Sequence, residues 1–240
     1  IKDGDQAVKM YEQKFDNVEL ESLKVTQQEI DDAYEATDDT VIKALELAKA
    51  NITSFHQMEV EDSFIDAKKK GVIRGEKIAP LAAVGLYVPG GTAAYPSSIL
   101  MNVIPAKIAG VSRIVMVTPP QKDGLNKAVL AAAKIAGVDE IYTVGGAQAI
   151  ASLAYGTETV PRVDKITGPG NVFVATAKKQ VFGQVDIDMI AGPSEIGVIA
   201  GSQAVPSQVA ADLLSQAEHD KLARPILVTD DRSLAEAVSK

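Results

Sequence analysis

Gln216 and His219 stand three residues apart in Leu213-Leu214-Ser215-Gln216-Ala217-Glu218-His219-Asp220. On a helix that spacing puts both side chains on nearly the same face, where they could share one ion. Imidazole is a good zinc ligand and an amide oxygen an uncommon one. A zinc site takes about four ligands, so the pair is at best half a site. Asp212 stands one turn earlier on the same side. A histidine at a helix end also complements the helix dipole, and that reading stays open beside the metal one. Glu218 and Asp220 point to other faces and read as solvated charges. His56, the other histidine, closes a packing helix and reads as a surface or cap residue.

Two further segments could hold an anionic ligand. Val144-Gly145-Gly146-Ala147-Gln148 and Thr167-Gly168-Pro169-Gly170-Asn171 are glycine-rich turns between an apolar run and a helical pattern. In open α/β sheets ligands settle at the carboxyl ends of strands, where glycine lets the backbone approach and the next helix N-terminus favours negative charge. A nucleotide is the natural candidate, although neither turn matches the dinucleotide fingerprint or the P-loop, and glycines also simply make tight turns. A third segment, Gly85-Leu86-Tyr87-Val88-Pro89-Gly90-Gly91, offers the ring and hydroxyl of Tyr87 to a flat ligand, or else places Tyr87 in the core.

Elements that would position these groups are legible from periodicity. Residues 1 to about 70 are highly charged and helical in pattern. Thr26 and Glu29 have capping-box spacing, and Val41, Leu45, Ala48, Ile52 and Phe55 form one stripe after Asp38 and Asp39. From about Ile78 short apolar runs alternate with helical patterns. Arg113 to Thr118, Glu140 to Val144, Val163 to Thr167, Glu195 to Ala200 and Pro225 to Thr229 read as buried strands. Pro96 and Gly110 bracket one intervening helix, Asp123 and Gly137 the next, and Pro206 to Asp220 reads as another. The fold class is α/β, a parallel sheet with flanking helices.

Composition narrows the function. The chain has 240 residues, 24 Lys plus Arg against 32 Asp plus Glu, a net charge of -8, and no cysteine. The acidic balance repels nucleic acid and anionic membrane surfaces. Without cysteine this chain supplies no disulfide, thiolate zinc ligand or thiol nucleophile, which fits a reducing cytoplasm. No stretch matches a membrane span or signal peptide. The first residue is Ile1, and Ser233 to Lys240 reads as an unfinished helix, so a longer natural chain is expected.

Taken together and in order, GLYVPGGTAAYPSSILMNVIPAKIAG, VGGAQAIASLAYGTETVPRVDKITGPGN, DMIAGPSEIGVIA and ADLLSQAEHD resemble histidinol dehydrogenase, from about Gly71 to Thr229. The resemblance implies NAD-dependent, zinc-requiring oxidation of L-histidinol through L-histidinal to L-histidine, in a cytoplasmic homodimer with an aldehyde-dehydrogenase-like architecture. It implies NAD contacts from Tyr87, Gln148 and Asn171, a substrate contact from Ser194, and zinc plus substrate contacts from Gln216 and His219. It also implies a helical segment with the start of a first domain over 1–86, a Rossmann-like NAD-binding domain over 87–193, and a return to the first domain over 194–240. The family's Pro-Glu-His acid/base motif and its remaining zinc ligands have no counterpart here, so no catalytic residue is assigned and the chain alone is expected to be inactive. An aldehyde dehydrogenase would need a nucleophilic cysteine, which this chain lacks. A nucleotide-binding scaffold on the same fold is the rival from another class.

Overall fold

The computed structural model describes residues 3–90, 95–190, 194–218 and 222–240. The chain forms two compact units, Ile1–Ile190 and Ala191–Lys240.

The first unit opens with helices α1 (Gly4–Phe15), α2 (Gln27–Glu35) and α3 (Asp39–His56). The capping box forms: Thr26 Oγ1 accepts from the Glu29 N–H, and the Glu29 carboxylate accepts from the Thr26 N–H at 2.7 Å. Along α3, Leu45 is buried and Val41, Ala48 and Ile52 pack against the core, but Phe55, expected on the same stripe, is exposed because the helix outruns the surface it covers. His56 ends α3 and pairs with Glu59 at 2.5 Å. A hairpin not foreseen from the sequence follows, β1 (Phe64–Asp66) with β2 (Arg74–Glu76).

The rest of the unit alternates β3 (Ala83–Tyr87), α4 (Pro96–Ile108), β4 (Arg113–Thr118), α5 (Lys127–Ala136), β5 (Glu140–Thr143), α6 (Gly146–Tyr155), β6 (Lys165–Thr167), α7 (Val172–Val181) and β7 (Asp186–Ile187). All five strands are parallel, in the order β5-β4-β3-β6-β7. The helix start expected at Asp123 lies at Asn126, whose side chain accepts from the Ala128 N–H; the stop at Gly137 holds, with the residue in the left-handed region at φ 87°.

Strand alternation divides the core between the two faces of the sheet. Val84, Leu86, Ile114, Met116 and Ile141 face α4 and α5, with α2 and α3 packed outside them. Tyr87, Val115, Val117 and Tyr142 face α6 and α7, where α1 lies against α6. Residues 1–86 therefore share both core layers with the residues that follow, and the expected boundary at 86/87 falls at the end of the central strand, β3.

The second unit is a β-α-β arrangement, β8 (Glu195–Ile199), α8 (Pro206–Ala217) and a parallel β9 (Arg224–Val228), followed by α9 (Arg232–Val238). Asp231 caps α9 by accepting from the Ser233 and Leu234 N–H groups. No described helix is long and apolar enough to cross a membrane.

Candidate functional site

Strand order reverses between β3 and β6: the chain leaves β3 towards β4 and β5, then returns through α6 to β6 on the other side. Such a switch point leaves a crevice beyond the carboxyl ends of the two strands. The Gly168 turn lies there, while the Gly145 turn follows β5, two strands from β3, and is tied to β3 through the Tyr87 hydroxyl. A Cβ on Gly168, just after β6, would stand 2.1 Å from the Tyr87 carbonyl oxygen at the end of β3, and the Gly168 φ of +108° also favours glycine. On the other side Pro119, after β4, is the floor for two turns, since a Cβ on Gly90 or Gly145 would meet its ring at 3.2 or 2.8 Å.

Two of the NAD-contact candidates meet at the start of α6. Tyr87 is 3% exposed, so the core placement left open by the sequence is the one observed; its hydroxyl accepts from the Gly146 N–H at 3.2 Å. Burial pushes that hydroxyl up to about 12, against the opposing donation from Gly146, so it stays a neutral phenol. Gln148, half-buried in the first turn of α6, donates from Nε2 to Glu12 Oε1 at 2.8 Å. The same Glu12 oxygen accepts from the Gly145 N–H at 3.1 Å. Glu12 reaches this point from α1 and is fully buried, and its Oε2 has no hydrogen-bond partner among the described residues. Burial raises its pKa to about 7 against the bonds from Gln148 and Gly145, and the neighbouring Asp16 charge pushes it the same way.

Asn171, the third candidate, caps α7: its Oδ1 accepts from the Phe173 and Val174 N–H groups at 3.0 and 3.1 Å. Its loop is held three residues earlier by an ion pair between a buried lysine and a more exposed aspartate. Lys178 Nζ donates to the Gly168 carbonyl at 3.0 Å and to Asp188 Oδ1, while Asp188 Oδ2 accepts from the Gly168 N–H at 2.8 Å. Both polar backbone groups of Gly168 are thus tied to one Lys–Asp pair, and the Lys178 side chain is 2% exposed.

In the second unit, Ser194 is exposed immediately before β8, and its carbonyl accepts from the Arg224 N–H. Gln216 is half-buried in the last turn of α8. The helix expected to run to Asp220 is described to Ala217, and the call of His219 as a metal and substrate ligand lies outside the described residues.

All 240 residues match the family described as Histidinol dehydrogenase. The chain belongs to the histidinol dehydrogenase family. The match extends beyond the Gly71-to-Thr229 stretch that carries the motifs, so the charged N-terminal helices belong to it too. A histidinol dehydrogenase of Lactiplantibacillus plantarum is 69% identical over 239 residues, covering 100% of this chain and 56% of the relative. The crystal structure of histidinol dehydrogenase from Elizabethkingia anophelis matches with a TM-score of 0.91 at 42% identity, over 98% of this chain and 55% of that one. The chain therefore spans about half the length of these relatives. A propionaldehyde dehydrogenase of Clostridium phytofermentans shares the fold at TM-score 0.52 and 13% identity, over 98% of this chain and 57% of that one.

The donors of this chain meet the two cofactors that the resemblance implies unequally. The β3–β6 crevice has close backbone packing, and Gln148 at the start of α6 has a side-chain carbonyl with no donor on it among the described residues, both of which suit a dinucleotide. For zinc, no three His, Cys, Asp or Glu side chains converge among the described residues. A closed zinc shell is not present there, and Gln216 offers one amide oxygen. Glu12, Lys178, Asp188 and Pro119 were not foreseen. A signal existed for two of them: Glu12 follows Val8 at a step of four, and Lys178 follows Val174 likewise, so each is a charge on a buried stripe.

Proposed function

We propose that the full-length protein is an NAD-dependent, zinc-requiring histidinol dehydrogenase that oxidises L-histidinol to L-histidine through L-histidinal, in the last steps of histidine biosynthesis, as a cytoplasmic homodimer. In this reading the chain described above supplies its cofactor-positioning half. The supporting observation is that Tyr87, at the end of β3, and Gln148 meet at the start of α6 while Asn171 caps α7 beyond the end of the neighbouring strand β6, in a chain that matches the family over its whole length.

Tyr87 and Gln148 set the α6 side of the dinucleotide site and Asn171 the α7 side, while Ser194, Gln216 and His219 bind substrate, the last two also holding zinc. When bound, zinc supplies charge that orients the substrate's amino and imidazole nitrogens, and NAD accepts hydride. The alcohol gives up a proton and a hydride to become the aldehyde; the aldehyde adds water and gives up a second hydride, to a second NAD, to become the acid. Proton transfer falls to the family's Glu and His, which are not in this chain. In the reading 87–193 form the NAD-binding domain, while 1–86 and 194–240 belong to a second domain.

Full-length protein is expected to reduce NAD with histidinol only when zinc is bound, and His219→Ala to lose the metal. The 240-residue chain alone is expected to form no NADH with histidinol; measurable turnover by it would refute the assignment of proton transfer to residues elsewhere.

A further inference from the structure

The Glu12 carboxylate joins an N-terminal helix to the start of α6 through one oxygen, and that oxygen has two donors on it. The Gly145 N–H can only donate, so Oε1 is an acceptor, and Gln148 must turn its NH2 towards it. The Gln148 carbonyl oxygen is then directed away from Glu12, and no donor meets it among the described residues. We infer that Glu12 is a positioning residue that fixes the Gln148 amide so that it presents an acceptor, and that the cofactor group bound there is a hydrogen-bond donor. This rests on the reading of Gln148 as a dinucleotide contact.

The inference has chemical content because the NH2 of an unrestrained glutamine could equally face the ligand and would then suit a phosphate oxygen. With the NH2 engaged, a phosphate would meet the carbonyl oxygen and be repelled. The first two amides at this helix start are also engaged, Gly145 by Glu12 and Gly146 by the Tyr87 hydroxyl, so neither is free to draw an anion to the Gln148 carbonyl. A dinucleotide carries three kinds of donor, ribose hydroxyls, the adenine amino group and the carboxamide N–H, and any of them satisfies the geometry.

Glu12→Met keeps the volume of the side chain and removes the acceptor; Glu12→Gln keeps the acceptor. In full-length enzyme, Glu12→Met is expected to raise KM for NAD by roughly five- to tenfold, the effect of one lost orienting hydrogen bond, with kcat within about twofold and KM for histidinol unchanged. Glu12→Gln is expected to restore KM for NAD. Should Glu12→Met not fold, Glu12→Asp, which withdraws the acceptor by one methylene, carries the same expectation. ADP-ribose, which keeps the ribose hydroxyls and the adenine amino group and lacks the carboxamide, separates the donors as a competitive inhibitor: a matching rise in its inhibition constant assigns a ribose hydroxyl or the adenine amino group, and an unchanged constant assigns the carboxamide. Gln148→Ala is the reference. If it weakens NAD binding while the folded Glu12 variants retain normal KM, or if Glu12→Gln is as impaired as Glu12→Met, the positioning role is overturned. If Gln148→Ala itself binds NAD normally, the dinucleotide reading of Gln148 falls and takes the inference with it.

Discussion

Glu12 also makes a thermodynamic prediction that is independent of the cofactor. Its carboxyl is held at about 7 in the folded chain against an ordinary value of 4.5, chiefly by burial. Below about pH 4.5 folded and unfolded chains both keep the proton. Between 4.5 and 7 the unfolded chain releases it while the folded chain holds it, so stability falls as pH rises and levels off above 7. A shift of that size corresponds to roughly 3 kcal/mol; solvent around the half-exposed Asp16 screens part of it, and about 2 kcal/mol is the expected effect. Glu12→Gln reproduces the neutral form at every pH. Its stability relative to wild type should therefore rise by about 2 kcal/mol between pH 5 and pH 8. Urea unfolding followed by circular dichroism at both pH values measures this, and taking variant minus wild type cancels the other titrating groups. A difference that is the same at both pH values, or a variant relatively less stable at pH 8, would refute the account of Glu12 as a buried carboxyl that resists ionisation.

Lys178→Met removes the cation from the pair that holds both polar backbone groups of Gly168, and losing the hydrogen bonds of that buried ammonium should cost about 2 kcal/mol in urea unfolding, with weaker NAD binding as the Asn171 loop loosens. Wild-type stability would show that the pair does not hold the loop. Gly168→Ala puts a methyl group 2.1 Å from the Tyr87 carbonyl at a φ of +108°. It should destabilise by about 2 kcal/mol or more and raise KM for NAD, and a silent substitution would place the β3 and β6 strand ends further apart than described.

The parts of this chain that could be read in advance are those where neighbours in sequence decide the outcome. Thr26 with Glu29, Gly137 and the apolar runs of β4, β5, β8 and β9 each carry their own local reason, and each appears where periodicity put it, to within a residue or two, although β8 and β9, expected to be buried, are largely exposed in this chain. The strand β7 has only two residues and exists because β6 supplies its partner, so no window of sequence could announce it. Tyr87 was ambiguous for a related reason: the segment shows an aromatic residue before a glycine turn, but whether its hydroxyl meets a ligand or the backbone depends on α6, nearly sixty residues on.

Charged residues on buried stripes are the hardest class, because a helical pattern assigns them to the surface by type while their spacing assigns them to the core. Glu12 and Lys178 resolve that conflict in opposite ways. Lys178 meets a carboxylate and a carbonyl, so its burial is compensated by strong bonds. Glu12 meets two neutral donors and a like charge, so its burial is relieved by holding its proton to about pH 7. The first arrangement ties both polar backbone groups of the Gly168 turn to one Lys–Asp pair. The second links the start of α6 to pH near neutrality, and it does so at the residue whose bonded oxygen orients Gln148. A sequence pattern can mark both residues as anomalies, but only the partner across the fold decides which becomes a fixed clamp and which a titrating one.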